Sequence, residues 1–248
     1  MSGHSKWSKV KHQKAVTDRV KGALFTKAAR AIELAVREAG GVTDPEANFK
    51  LRLAIEKARD VNMPKENIER AAARGKGKGE SSLSQILYEG YGPGGAAILV
   101  ETMTDNKQRT VALLKNLFDQ FGGSIASPGA VSFLFTRNGL VQVSRSLYPY
   151  DTILEKALLL GASDVVETEE YYELYFSYET FAAAVKRLSE EGITPDRVET
   201  IMKPRSTITL APQDQKALEA LTQKLESLED IARVFTNSAV ENSASPSL

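Results

Sequence analysis

The chain has 248 residues, 42% hydrophobic and 26% charged, and no cysteine. That length can bury more than one core, and the missing cysteines exclude disulfides, thiolate metal centres and cysteine nucleophiles. Lys+Arg and Asp+Glu balance at 32 each, but residues 1–79 carry 18 basic against 9 acidic side chains and the rest 14 against 23. Such a division fits a basic face for a polyanion carried on an acidic body that keeps the whole chain soluble.

No run of about 18 apolar residues is present, so no membrane-spanning helix is expected. The N-terminal segment lacks the apolar stretch of a signal peptide, and the cytoplasm is the expected compartment. In the first thirty residues, Lys6, Lys9, Lys11, Lys14, Arg19, Lys21, Lys27 and Arg30 face a single acid, Asp18. The same stretch holds the only tryptophan, Trp7, and both histidines, His4 and His12.

From about Val16 to Ala39, apolar residues at three- and four-residue spacing (Val20, Leu24, Ala28, Ala31, Ala35) predict a long helix. Gly40 and Gly41 stop it. Asp44-Pro45-Glu46 reads as the start of a second helix with Leu51, Ala54, Ile55 and Ala58 inward. A third runs from Pro64 to about Arg74. The stretch Gly75 to Ser82, GKGKGESS, reads as a linker. It lacks the spacing of a phosphate-binding loop.

Beyond it the texture turns to strands and helices. SQILYEGY and AAILVET, joined by GPGG, predict a hairpin. Gly90, Gly92 and Gly95 match G-x-G-x-x-G by letter, but a strand rather than a helix follows, which excludes the dinucleotide reading. Thr104-Asp105-Asn106 caps a helix to Phe121, and AVSFLF at 130–135 reads as a strand. Residues 138–203 have the order strand–helix–strand–strand–helix–strand, the ferredoxin-like pattern. A strand at STITL, a helix at 212–228 and a strand at IARVFTN are left over and predict completion of the sheet begun at 84.

The expected fold class is therefore α+β and multidomain: an N-terminal three-helix domain, then two ferredoxin-like α/β domains, the third inserted in the second. The expected boundaries are 1–79, then 80–137 plus 204–240, with 138–203 as the insertion and 241–248 as a flexible tail.

No chemistry of an enzyme is legible. There is no nucleophile elbow, the two histidines sit in the basic segment, and no metal-ligand spacing occurs. The cluster Glu167, Glu169, Glu170 and Glu173 reads as solvated positions around a hairpin. No cofactor, metal or small-molecule substrate is expected; the sequence does not fix the oligomeric state, and a monomer is favoured. Nucleic acid is the expected partner. Lys6, Lys9, Lys11, Lys14, Lys21, Lys27 and Arg30 are candidate phosphate contacts, with Trp7 and His12 supporting them. Trp7 either stacks on an exposed base or anchors the segment to the helical domain. Asn106, Lys107 and Arg109 form either a second contact with the polyanion or simply a well-capped helix start. A protein-binding adaptor using the acidic domains is the alternative function.

GHSKW (3–7), K-x-K-H-x-K-A (9–15), F-T-K (25–27), L-R-L-A-I (51–55), N-M-P-K-E-N-I-E-R (62–70), E-G-Y-G-P-G-G (89–95) and T-D-N-K-Q-R-T (104–110) together resemble the YebC family. The resemblance runs down to V-F-T-N near residue 237. It implies a helical domain, a middle α/β domain and a third α/β domain inserted in it. It also implies a regulator of gene expression: bacterial members are commonly described as DNA-binding transcriptional regulators, mitochondrial relatives as translational activators, and some bacterial relatives as ribosome-associated. The lack of a helix-turn-helix, zipper or zinc-finger pattern tilts the physics towards RNA; the common family descriptions tilt towards DNA. Val20 and Ala23 stand where the family usually has basic residues, and Asn48-Phe49 where it usually has Asn-Pro.

Overall fold

The computed structural model describes the backbone of residues 4–77 and 83–239 and, within the first helix, the side chains from Lys21 onward. Three helices open the chain: α1 (His4–Glu38), α2 (Phe49–Asp60) and α3 (Lys65–Lys76). The expected helix at Val16 begins twelve residues earlier, because the lysine-rich run continues the helical backbone without an apolar stripe to announce it. Its 35 residues make it about 52 Å long at 1.5 Å per residue.

The start of α2 also differs. Asp44 caps only a local turn, accepting from the Glu46 amide at 3.0 Å. The helix begins at Phe49, capped by Asn48, whose side-chain oxygen accepts from the Leu51 amide at 3.1 Å. The Asn48 amide nitrogen also donates to the carbonyls of Ala35 and Val42, at 3.0 and 3.1 Å, tying the end of α1 to the start of α2. A buried side chain that satisfies three backbone groups outweighs a solvent-exposed Asp four residues earlier.

Ile32, Val36, Leu51, Ala58 and Ala71 are fully buried where the three helices meet. Gly75 belongs to this core and not to a linker. It is buried inside α3, and a Cβ there would lie 2.6 Å from the Glu33 carbonyl oxygen and 2.7 Å from Val36 Cβ. Only glycine lets α3 approach α1 so closely. Residues 78–82 of the expected linker lie outside the described residues.

The first sheet comprises β1 (Ser84–Tyr91), β2 (Ala97–Thr104), β3 (Ser124–Ala126) and β8 (Ile231–Thr236), in the order β3-β1-β2-β8 and antiparallel throughout. A 3-10 turn at Pro93–Gly95 closes the β1–β2 hairpin, with Gly94 at φ 64. α4 (Lys107–Gln120) and α7 (Pro212–Glu226) lie on one face, with Phe118 packed against Gly90 and Leu218 against Gly92. β3 was not legible: three residues between glycines carry no periodicity. The expected strand AVSFLF is instead a 3-10 turn at Ser132–Leu134 followed by β4 from Phe135. STITL supplies no strand, only an isolated bridge at Ile208.

The second sheet holds β4 (Phe135–Ser144), β5 (Asp164–Glu167), β6 (Tyr171–Ser177) and β7 (Arg197–Pro204), with α5 (Tyr150–Leu159) and α6 (Phe181–Glu190). Its order, β5-β6-β4-β7, is the split arrangement of a ferredoxin-like unit. Because β8 rejoins the first sheet after β7, the second sheet interrupts the first in sequence. Residues up to Val131 with Thr209–Ser238 form one compact unit, and Ser132–Ile208 the body of the other. The chain is thus α+β, with a helical N-terminal region followed by two antiparallel sheet regions.

Candidate nucleic-acid interface

The segment richest in positive charge forms the N-terminal half of α1. The side chains of Lys6, Trp7, Lys9, Lys11, His12 and Lys14 lie outside those described, so the structure places their backbone on the helix and nothing more. Among described residues, the part of α1 packed into the helical core starts at Phe25. Lys21, one turn before it, is exposed.

The next two candidate contacts differ from Lys21. Lys27 donates from Nζ to the carbonyl oxygen of Glu226 at the end of α7. Burial lowers the Lys27 pKa below the usual lysine value, with the nearby Glu226 carboxylate opposing the shift. Arg30 reaches the loop before β8. Its Nη1 donates to Asp230 Oδ1 at 2.7 Å and to the carbonyls of Glu229 and Met103 at 3.0 and 3.2 Å.

Asp230 is the centre of this arrangement. Its side chain is only 8% exposed. Besides Arg30 it accepts from Arg109 Nη2 at 2.9 Å and from the hydroxyls of Thr110 at 2.9 Å and Thr104 at 3.3 Å. Burial works to raise its pKa, but the hydrogen bonds from Arg109, Arg30 and Thr110 prevail and hold the carboxyl below the usual aspartate value. Arg109 is correspondingly pushed up by its bonds to Asp230 and then Asp105, which it also meets at 2.8 Å.

The candidate second contact therefore resolves into distinct roles. Asn106 caps α4, its Oδ1 accepting from the Arg109 amide at 3.0 Å. Arg109 is held between Asp105 and Asp230. Lys107 is exposed at the first position of α4. Arg30 and Arg109, separated by the length of a domain in sequence, converge on one carboxylate and join α1 to the edge of the first sheet.

Between α1 and α3 lies a cleft of about 520 Å³ with Phe25 and Met63 among its apolar lining and Asn67, Arg70 and Arg74 along its α3 side. Arg74 meets the buried Glu33 carboxylate at 3.3 Å, and Arg37 meets it at 2.6 Å. The Asn67 amide and the Arg70 guanidinium form no hydrogen bond or ion pair with any described residue. Nothing in the sequence marked Asp230, and Asn67 and Arg70 stood out only as letters of the N-M-P-K-E-N-I-E-R motif. Phe25 was legible as a residue that widens the apolar stripe of α1 and as the first letter of F-T-K.

Family models match along nearly the whole chain: the TACO1/YebC protein N-terminal domain over residues 5–78 and the TACO1/YebC second and third domain over residues 83–238. The chain belongs to the TACO1/YebC family. A member from Chloroflexus aurantiacus, named as a probable transcriptional regulatory protein, is 44% identical over 240 residues, covering 96% of this chain and 95% of its own. One from Persephonella marina with the same description is 42% identical over the same share of each chain. A crystal structure of a conserved hypothetical protein from Aquifex aeolicus superposes with a TM-score of 0.80 at 36% identity, covering 90% of this chain and 93% of that one. No described helix of this TACO1/YebC member is long and apolar enough to cross a membrane.

Proposed function

We propose that the chain is a non-enzymatic regulator of gene expression that binds nucleic acid through the N-terminal half of α1. The observation that carries this reading is the charge of the first thirty residues, eight basic side chains against one acid, six of the eight at or before Lys21. Lys6, Lys9, Lys11, Lys14 and Lys21 are the phosphate contacts in this reading, with Trp7 and His12 beside them. Lys27 and Arg30 take a different part: their bonds to Glu226, Glu229 and Asp230 tie α1 to the end of α7 and the loop before β8. The names of the family's curated members support a regulator. The absence of any groove-reading element in the sequence favours RNA, including ribosomal RNA, over promoter DNA.

Phosphate neutralisation makes affinity fall with salt, by a slope of about 0.7–0.9 per contact on a log–log scale. A Lys11→Glu/Lys14→Glu/Lys21→Glu variant should fold as the parent does by circular dichroism and lose most of its binding to both RNA and DNA oligonucleotides in fluorescence anisotropy. The residual salt slope should be smaller by about two to three. Unchanged affinity in this variant would sink the assignment, and capture of a protein partner that survives nuclease and high salt would replace it with the adaptor reading.

A further inference from the structure

We infer that the cleft between α1 and α3 is a pocket for one unpaired nucleotide of a bound RNA strand. The inference rests on the nucleic-acid reading above and adds to it a site and a substrate class. A volume of about 520 Å³ falls inside the roughly 300–1,000 Å³ range of small-molecule sites. The chemistry of the lining narrows the occupant. Phe25, on α1, supplies an aromatic ring with Met63 near it, a surface on which a base can stack.

Asn67 and Arg70, one turn apart on α3, line the same cleft and keep their planar polar groups free of partners within the described protein. An amide presents a donor and an acceptor side by side, the pairing a base edge offers in return. A free guanidinium is a fork for a phosphate. The carboxylates at the cleft do not oppose an anion: Glu33 is paired with Arg37 and Arg74, and Asp105 with Arg109. Arg70 is the uncompensated charge.

An acidic peptide would use the cation but has no call on a stacking surface beside an unpaired amide. A base inside a duplex is stacked on both faces and presents neither its plane nor its pairing edge, so the pocket selects a bulged or single-stranded nucleotide. Lys21, exposed one helical turn from Phe25, places a cation where the flanking backbone leaves the cleft. The continuity between the basic half of α1 and the cleft makes one strand the natural occupant of both.

The test compares two labelled RNA hairpins of equal length, one with a single-nucleotide bulge and one fully paired, titrated with the full chain. The bulged hairpin should bind about tenfold or more tighter, in line with the worth of one base–aromatic stack. An Asn67→Ala/Arg70→Lys variant, altered only at partly or fully exposed positions and keeping the cation, should bind both hairpins with the affinity of the paired one; Phe25→Leu should do the same. Equal affinity of the parent chain for the two hairpins, or a bulge preference that survives in the variants, would overturn the pocket while leaving phosphate binding by α1 intact. Failure of the parent chain to bind either hairpin would overturn both readings.

Discussion

Each of the two compact units holds a cluster of charged groups, one around Asp230 and one around Lys203, and the two are built differently. In the first, Asp230 is nearly closed to solvent and gathers donors from α1, from the end of β2 and from the first turn of α4, 120 to 200 residues away in sequence. In the second, the Lys203 Nζ sits 2.6 Å from Asp164 and 3.6 Å from the centroid of the Tyr175 ring, while the Tyr175 hydroxyl donates to Glu173 at 2.6 Å; these residues stand on β7, β5 and β6 of one sheet, at most 39 residues apart in sequence. Side-chain exposure is 30% for Lys203 and 49% for Asp164. The first cluster joins α1 and the first turn of α4 to the loop before β8 through side chains alone. The second decorates a sheet that its backbone ladder already holds. A charge cluster therefore contributes according to how far apart its members are in the chain and how little water they share.

The largest expected effect lies outside both clusters and sets the scale for them. Gly139 lies on β4 under α6, and a Cβ there would fall 2.0 Å from the Phe181 ring. Phe181 is itself fully buried, so it cannot yield without moving α6. Gly139→Val should destabilise the second unit by about 3 kcal/mol or more, the upper range of overpacking. Amide exchange should accelerate across β4, β6 and α6 and stay unchanged in α1–α3. Exchange that stays unchanged everywhere would show that α6 can lift away at little cost.

Asp230→Ala comes next. Removing one partner of a fully buried pair costs about 3–5 kcal/mol, but Arg109 is 46% exposed and can rehydrate, so about 2–3 kcal/mol is expected. Exchange should quicken at the junction of α1 with the first sheet, and the second unit should not respond. The same carboxylate has a pH signature. Its pKa is depressed in the folded chain, so its contribution is fully present above the ordinary aspartate value of about 3.9 and is lost as pH falls below it towards the folded value. Chemical denaturation of the parent chain at pH 6 and pH 3 should show that loss, and its size should shrink in the Ala variant by the Asp230 share. An acid-induced loss of the same size in both chains would assign it to other carboxylates.

What the sequence disclosed follows from the same contrast. Helices α2 to α7 were legible because each carries an apolar stripe at helical spacing, and the hairpin of β1 and β2 because two β-prone runs flank a glycine-rich turn. The start of α1 was not, since Lys6 to Lys14 supply no apolar period. Asp44 and Asn48 are both good cap residues, and the choice between them is made by the Ala35 carbonyl thirteen residues upstream. Asp230 stands alone between Glu229 and Ile231 with nothing local to set it apart. The basic character of α1 was plain from composition, but that Arg30 would turn inward to Asp230 while Lys21 stays exposed depends on partners no window of sequence contains.

The smallest effect should come from the second cluster. Lys203→Gln removes an ion pair with a half-exposed aspartate and a cation over the Tyr175 ring. Partly exposed ion pairs are worth about 0–1 kcal/mol, and an exposed cation–π contact about 0.5–1 kcal/mol. The two share one ammonium and do not add in full, so about 1 kcal/mol or less is expected in denaturant unfolding, with the exchange pattern of β6 unchanged. The Tyr175 hydroxyl gives an independent check. Burial first, then its bond to the Glu173 carboxylate and the nearby Asp164, keeps it protonated well above the ordinary tyrosine range. Losing a neighbouring cation can only push its ionisation higher, so ultraviolet titration of the variant should show no new tyrosine ionising earlier. A loss comparable with that of Asp230→Ala would mean that the sheet depends on Lys203 for its assembly, and the distinction between the two clusters would fail.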